Sequence, residues 1–326
     1  MRHKNRIIVF FCFFCLAGFL FQGCSKPAGR NEYPVNDITV ICPWVQGGGT
    51  DMVLRALCES AESRLGVKIN IVNRAGENGA LGFEAIRDAS TDGYTIGMIT
   101  YELNSLPREN LLDFTYQDIE PLVMVNADAV ALAANIDAPY NDVKELVEYA
   151  RANPGRVDVA QATTGSVWHV GAALFVDMAD IEVNFLPFEG TANAVTAAAN
   201  GYTEVVASSV AEAKEQVDAG KLKFLGIMDT ERPKLYPKVQ TFIEQGYDIT
   251  YYTWRGIALP KGVDEEKRKV LEEAFSEAMK DKHFIEAMDR QNLNITYLDS
   301  QGFRDFLKKN YDEVGKALKT VNLLKE

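Results

Sequence analysis

The sequence predicts an α/β protein of two lobes, each a mostly parallel sheet flanked by helices. Three observations carry that prediction. Short apolar runs of strand length alternate with longer segments of helical periodicity; the alternation pauses near residues 106–116 and then restarts; and two amphipathic helices close the chain, needing a sheet to cover. A chain of 326 residues, 47% apolar and 25% charged, is long enough for two domains with a sizeable core.

In the first half, Ile38 to Cys42 reads as a strand, and Asp51 to Leu65 as a helix with Val53, Leu57, Ala61 and Leu65 on one stripe. Lys68 to Asn73 is a second strand, Leu81 to Ala89 a second helix and Thr95 to Thr100 a third strand. After the pause, Pro121 to Ala134 leads out of one domain into another. The rhythm continues with helix Val143 to Ala152, strand Val157 to Gln161, helix Val167 to Ala179, strand Val183 to Pro187, helix Ala192 to Asn200, and strands Glu204 to Ser208 and Leu222 to Met228. Thr253 to Pro260 is a strand returning between domains. The closing helices carry Leu271, Ala274, Phe275 and Ala278, then Phe303, Phe306, Leu307, Val314 and Leu318. If they return to the first lobe, two crossing segments form a hinge. That divides the chain into residues 36–127 with 253–326 as lobe I, and 128–252 as lobe II.

The N-terminus is set apart. Arg2, Lys4 and Arg6 precede an apolar run from Ile7 to Phe21, too short to span a bilayer comfortably and flanked like an export signal. It ends in Leu20-Phe21-Gln22-Gly23-Cys24, which resembles a bacterial lipoprotein processing site: residues 1–23 are removed and Cys24 is acylated. Phe21 and Gln22 depart from that pattern, and ordinary cleavage or a membrane-retained signal are the alternatives. Residues 24–35 then read as a tether between membrane and globule. Loss of Arg2, Lys4 and Arg6 from a net charge of −12 leaves −15, a poor surface for nucleic acid. Two cysteines remain in the globule, Cys42 and Cys58, each roughly 10 to 14 Å from the intervening loop at the ordinary rise of strand and helix. They are either a disulfide, which an exported protein permits, or two buried thiols between sheet and helix.

The stretch PWVQGGGTDMVLRAL from Pro43 to Leu57 asks for a ligand. The first N–H groups of a helix lack partners and its dipole makes that end positive, so a strand, a glycine turn and a helix start build an anion site. Gly47, Gly48 and Gly49 remove the side chains that keep a ligand off those amides, with Thr50 or Asp51 as helix cap. A plain turn needs one glycine. The missing lysine after the glycines and the missing G-x-G-x-x-G spacing argue against a nucleotide. In the second half, QATTGSVWHVGAALF repeats the arrangement: Thr163, Thr164 and Gly165 supply hydroxyls and amides, Ser166 caps the helix, and His169 sits in its first turn where the dipole favours the neutral ring. A third turn runs from Phe188 through Gly190. Helix starts at strand ends are where open α/β sheets bind ligands, and two facing lobes make a cleft.

These residues resemble the extracytoplasmic solute receptors of tripartite tricarboxylate transporters. The matching segments come in order over some two hundred residues: PWVQGGGTDMVLRAL, VNRAGENGALGFEAI with DGYTIG, DFTYQDIEPL, TTGSVWH, LPFEGTANAV, AGKLKFLGIMDTERPKLYP, TFIEQG and YYTWRGIALPKG. The resemblance implies the two-lobed type II periplasmic-binding-protein fold and capture of a small organic carboxylate. It also implies delivery to integral membrane carrier subunits. The ligand-touching residues it implies are Gly47, Gly48, Gly49, Thr50 and Asp51; Thr163, Thr164, Gly165, Ser166 and His169; Phe188 and Gly190; and the strand end at Ser208 and Ser209. Phe188 stands where the family usually has tyrosine, Trp44 where it has phenylalanine, and Gln46 where it has a small residue or proline.

An anion ligand on a chain of net charge −15 is reconciled by screening, since distant carboxylates beyond a Debye length of about 8 Å count little against amides in contact. No arginine lies in the proposed loops, so the expected clasp is neutral donors. Trp44 and Trp168 flank the loops and are expected to line the cleft; Trp254 lies at the returning strand. Against an enzyme, Ser166 and His169 share one helix turn with no orienting carboxylate and no G-x-S-x-G elbow. Beyond His3, only His169 and His283 are histidines, which makes a metal site thin. Glu84 and Asp88 read as a solvated helix face. The expectation is a monomeric binding protein with no catalytic residue, cofactor or metal; a sensor presenting its solute to a signalling partner is the alternative use of the same clamp.

Overall fold

The computed structural model describes residues 33–324, so the export signal, Cys24 and most of the tether lie outside the described residues. Two mixed sheets organise the chain. The first has six strands in the order β11-β4-β10-β3-β1-β2 and the second five in the order β7-β6-β8-β5-β9. Here β1 is Ile38–Cys42, β2 Ile69–Asn73, β3 Thr95–Thr100, β4 Ile119–Ala129, β5 Ala131–Asn135, β6 Asp158–Gln161, β7 Asn184–Pro187, β8 Val205–Ser208, β9 Leu222–Ile227, β10 Tyr252–Pro260 and β11 Ile295–Leu298.

Each sheet has a parallel half, β2-β1-β3 in one and β7-β6-β8 in the other, with registers such as Val40↔Ile71 and Val159↔Phe185. The antiparallel half comes from the strands that carry the chain between sheets. β4 runs in the first sheet and β5, one residue later, in the second; β10 brings the chain back and pairs antiparallel with β4 from Tyr252↔Ala129 to Pro260↔Ile119. In each parallel half the carboxyl ends of the strands lie at one sheet edge, so their loops lie there too.

Helices cover both faces. α1 (Gly49–Leu65) buries Val53, Leu57, Ala61 and Leu65, the expected stripe, against α8 (Glu265–Ala278) and α9 (Lys282–Gln291). The other face of the first sheet carries α2 (Ala80–Arg87), α3 (Glu102–Ser105) and α10 (Ser300–Thr320), whose core runs on into α4 (Val143–Ala152) and α5 (Val167–Ala179) of the second sheet. α6 (Thr191–Ala199) and α7 (Val210–Asp218) cover the remaining face.

The sequence reading misses α3, α7, α9 and β11. α7 packs through Val210, Ala211 and Ala213, too small a stripe to stand out, and α9 buries only Phe284 and Met288. The two closing helices are therefore three, and the run 121–134 is two strands in different sheets. Neither Thr50 nor Asp51 caps α1: its N-cap is Gly48, with no side-chain hydrogen bond. Cys42 and Cys58 are buried free thiols in one apolar cluster, the first pushed up to about 11 by burial.

Gly256 on β10 lies under the ring of Phe303, and a Cβ there would meet that ring and the Val123 carbonyl oxygen at 2.7 Å. Gly256→Val therefore has to displace α10 from the crossing strands. We expect a loss above about 2 kcal/mol in denaturant unfolding; an unchanged midpoint would show that this contact does not hold α10.

Candidate ligand cleft at the strand ends

The loop after β1 is shaped by its glycines and one carboxylate. Gly47 adopts φ +85° and donates its N–H to Asp51 Oδ2 at 2.9 Å. Asp51 is otherwise turned away from the loop, accepting from Arg55 Nε at 2.8 Å, Arg55 Nη2 at 3.0 Å and Asn73 Nδ2 at 2.9 Å. Burial raises its pKa, but these hydrogen bonds outweigh burial and leave it below the usual carboxylate range. With Gly48 as N-cap, the amides of Gly49, Thr50 and Asp51 form the partnerless first turn of α1. Trp44, half-buried behind the loop, donates Nε1–H to Thr100 Oγ1 at 3.3 Å.

The residue that organises this loop comes from β10. Arg255 is 4% exposed and donates Nε–H to Thr50 Oγ1 at 3.0 Å. Its Nη1 donates to Asp128 Oδ2 at 2.8 Å and to Asn126 Oδ1, both on β4. Nη2 makes no hydrogen bond to the described residues and faces Gly49, where a Cβ would stand 3.1 Å from it. The same Cβ position is 4.0 Å from Glu212 Oε1 on α7, so the glycine loop of the first sheet meets a helix start of the second. Glu212 accepts from Ser209 N at 3.1 Å and Ser209 Oγ at 3.0 Å, and the Ser209 hydroxyl accepts from Glu212 N at 3.2 Å, a capping box.

Two further acids belong to this region. Glu102, 6% exposed, accepts from Thr100 Oγ1 at 2.6 Å. Burial raises the pKa of Glu102 and of Glu212, only partly offset by Arg255 and by hydrogen-bond donors, and each acid also raises the other or is raised by it. Glu109, 7% exposed, lies against Gly165 on the loop after β6, where a Cβ would stand 2.5 Å from its Oε2. Gly165 has φ +83°, which leaves the loop open to that approach.

At the start of α5, Ser166 is the N-cap and its hydroxyl accepts the His169 N–H at 3.4 Å, as expected. The His169 ring turns to the backbone, its Nδ1 accepting from Gly165 N at 3.1 Å, and stacks edge-on to Phe185. Burial lowers the ring pKa to about 4, so it is neutral at pH 7 with its proton on Nε2.

The proposed residues thus fall into groups. Gly49 and Thr50 meet Arg255, and through Glu212 they approach Ser209; Gly165 meets Glu109. Thr163 is half-buried and Thr164 exposed on the same loop as Gly165. Ser208 is fully buried, its hydroxyl donating to the Ser209 carbonyl. Gly190, φ +86°, is the N-cap of α6, and Phe188 packs against Tyr202. Trp168 is 5% exposed within the apolar core, and Trp254 is fully buried with Nε1 donating to Asn310 Oδ1 at 2.9 Å. The sequence reading misses Arg255, Asp128, Asn126, Glu102, Glu109 and Glu212. WRG in the returning strand was the available signal, since an arginine in an apolar run must find a buried partner.

Residues 53–323 match the sequence pattern of the tripartite tricarboxylate transporter family receptor. The protein BugT of Bordetella pertussis is 27% identical over 295 residues, 87% of this chain and 89% of BugT. The crystal structure of a solute-binding protein from Polaromonas, without ligand, is 31% identical, with a TM-score of 0.73 over 88% of this chain and 99% of the other. MatC from Rhodopseudomonas palustris with bound malate shares the fold at 23% identity and a TM-score of 0.78, over 88% of this chain and 100% of MatC.

The buried His169 has a consequence for stability. The unfolded chain binds a proton near pH 6.5 that the folded ring refuses until about 4, so stability falls as pH drops through that window. The expected contribution is on the order of 2 kcal/mol between pH 7.5 and 4.5. Denaturant unfolding of His169→Gln should show a shallower loss over that range than the wild type; equal slopes would contradict a neutral buried ring.

Proposed function

The chain belongs to the tripartite tricarboxylate transporter receptor family, and on that premise we propose that it captures a small organic carboxylate between its lobes and delivers it to an integral membrane carrier. The work takes place outside the cytoplasm, with the protein held to the membrane by a lipid on Cys24 and acting as a monomer. Residues 36–127 with 253–326 form one jaw and 128–252 the other, moving about β4 and β10. MatC, of the same fold, holds malate, which fits a carboxylate as the cargo.

The observation that carries the reading is the meeting of helix starts. The first turn of α1 is bare of side chains at Gly48 and Gly49, and a Cβ on Gly49 would stand 4.0 Å from Glu212 in the capping box of α7. A ligand carboxylate on the Gly49 and Thr50 amides gains from N–H groups that have no helical partner and from the helix dipole, on the order of 0.3 to 2 kcal/mol. Ion pairing is secondary. Arg255 is already balanced by Asp128 and has its Nε and Nη1 engaged, so it has one nitrogen to offer and no bidentate fork. The clasp is therefore mainly neutral donors, supplemented by Thr163, Thr164 and the Ser166 turn from the other jaw. The backbone hydrogen bond to His169 Nδ1 holds that ring as a strut of the loop, a structural use in keeping with a binding protein.

A thermal-shift screen of organic acids, followed by calorimetry, tests the capture. At 100 times the dissociation constant a bound acid should add about 2.7 kcal/mol of stability. Gly48 has φ −77° and only the Val45 carbonyl oxygen near its Cβ position, at 3.6 Å, so Gly48→Val folds without strain. An isopropyl group at the N-cap adds bulk beside the first-turn amides, and affinity should drop at least about tenfold, or 1.4 kcal/mol. Undiminished affinity in Gly48→Val would move the ligand off this loop.

A further inference from the structure

We propose that Arg55 and Asn73 are positioning residues of the ligand site: they hold the Asp51 carboxylate off the first turn of α1, so that the anion position there stays open to the acid the protein captures. The inference rests on the reading of the glycine loop as the ligand site.

The helix start carries an anion of its own. With Gly48 as N-cap, Asp51 is the third residue of α1, where a carboxylate ordinarily reaches back to the orphan amides and gains from the positive end of the dipole. That contact would put an acid of the protein where the acid of a ligand belongs. In the structure it is not made. What faces Gly49 is Nη2 of Arg255, the one nitrogen of a 4% exposed guanidinium without a partner among the described residues. A donor left over on a buried arginine asks for an acceptor oxygen, and Asp51 does not supply it.

What turns Asp51 aside is visible in its contacts. A carboxylate has about four acceptor positions, and here all of them are taken. Oδ2 accepts from Gly47 N at 2.9 Å and Arg55 Nε at 2.8 Å; Oδ1 accepts from Arg55 Nη2 at 3.0 Å and Asn73 Nδ2 at 2.9 Å. Arg55 stands one helical turn further on, and Asn73 comes from outside the helix, at the end of β2. The two restraints brace each other. Asn73 Oδ1 accepts from Arg55 Nη2 at 3.3 Å, and Asn73 Nδ2 also donates to the Trp44 carbonyl at 2.8 Å, which ties the glycine loop to β2. Among the described residues Arg55 has no hydrogen-bond partner except Asp51 and Asn73. Burial raises the Asp51 pKa, but the bonds from Arg55, Asn73 and Gly47 outweigh it, so the side chain stays ionised beside the helix start and is paired there instead of competing for the amides.

The test is a double-mutant cycle read in affinity. Acetate, butyrate, benzoate, succinate, glutarate and citrate are titrated by calorimetry at neutral pH, and the tightest binder is carried through the variants. Arg55→Met keeps the aliphatic stem and a comparable helix propensity while removing the donors. With circular dichroism and unfolding midpoint near those of the wild type, it should weaken binding at least about threefold, the size of a charge effect at a helix end. In Asp51→Asn protein, which has no carboxylate to misplace, the same substitution should change affinity less than about 1.5-fold. Asn73→Ala runs through the same cycle and carries the test should Arg55→Met not fold. Unchanged affinity in Arg55→Met overturns the inference while leaving carboxylate capture standing. An equal fall in both backgrounds also overturns it, since Arg55 would then act as a distant cation and not through Asp51. Failure of every acid to bind removes the capture reading itself, and this inference with it.

Discussion

A buried ion pair between Arg255 and Asp128 sits where the two crossing strands run side by side, and the rest of the arrangement leans on it. Both side chains are almost fully removed from water, at 4% and 5% exposure. Desolvating two charges costs several kcal/mol per ion unless every remaining donor and acceptor is met. Here Asp128 also accepts from Asn126 Nδ2 and Asn294 N at 3.1 Å each, and Asn126 Nδ2 reaches the Asn294 carbonyl at 2.5 Å. One guanidinium therefore ties β4, β10, the segment before β11 and, through Thr50, the glycine turn at the start of α1. Without it, the loop that presents bare amides loses its tie to β10 and keeps its hydrogen bonds to Asp51, Asn73 and Thr100.

That arrangement explains how an acidic chain can be built to hold an acid. The formal charge of −12 is spread over the surface, where screening shortens its reach. At the strand ends the relevant charges are local: helix amides, an arginine paired with Asp128, and the buried acids Glu102 and Glu212. Partnerless amides at a helix start favour a carboxylate.

Much of the fold is legible along the chain because its elements are locally strong. β1, β3, α4 and α5 have the bounds that their apolar runs and periodicity imply, and Ser166 caps α5 as the pattern of hydroxyl and helix start requires. α7 and α9 escape because their buried stripes are short or made of alanine, so tertiary packing rather than periodicity makes them helices. The antiparallel halves of the sheets escape because they depend on how the crossing strands pair, and strand pairing over long separations leaves no local mark. The site shows the same division. Glycine loops can be read from sequence, whereas Arg255 and Thr50 are 205 residues apart, and Glu109 reaches Gly165 only once the two sheets are built.

The most direct test is a crystal structure of the protein with a bound organic acid. The account predicts the ligand carboxylate on the Gly49 and Thr50 amides, at most one of its oxygens on Arg255 Nη2, and the Arg255–Asp128 pair intact. A guanidinium released from Asp128 and gripping the ligand with both nitrogens, or an acid lodged away from these strand ends, would contradict it.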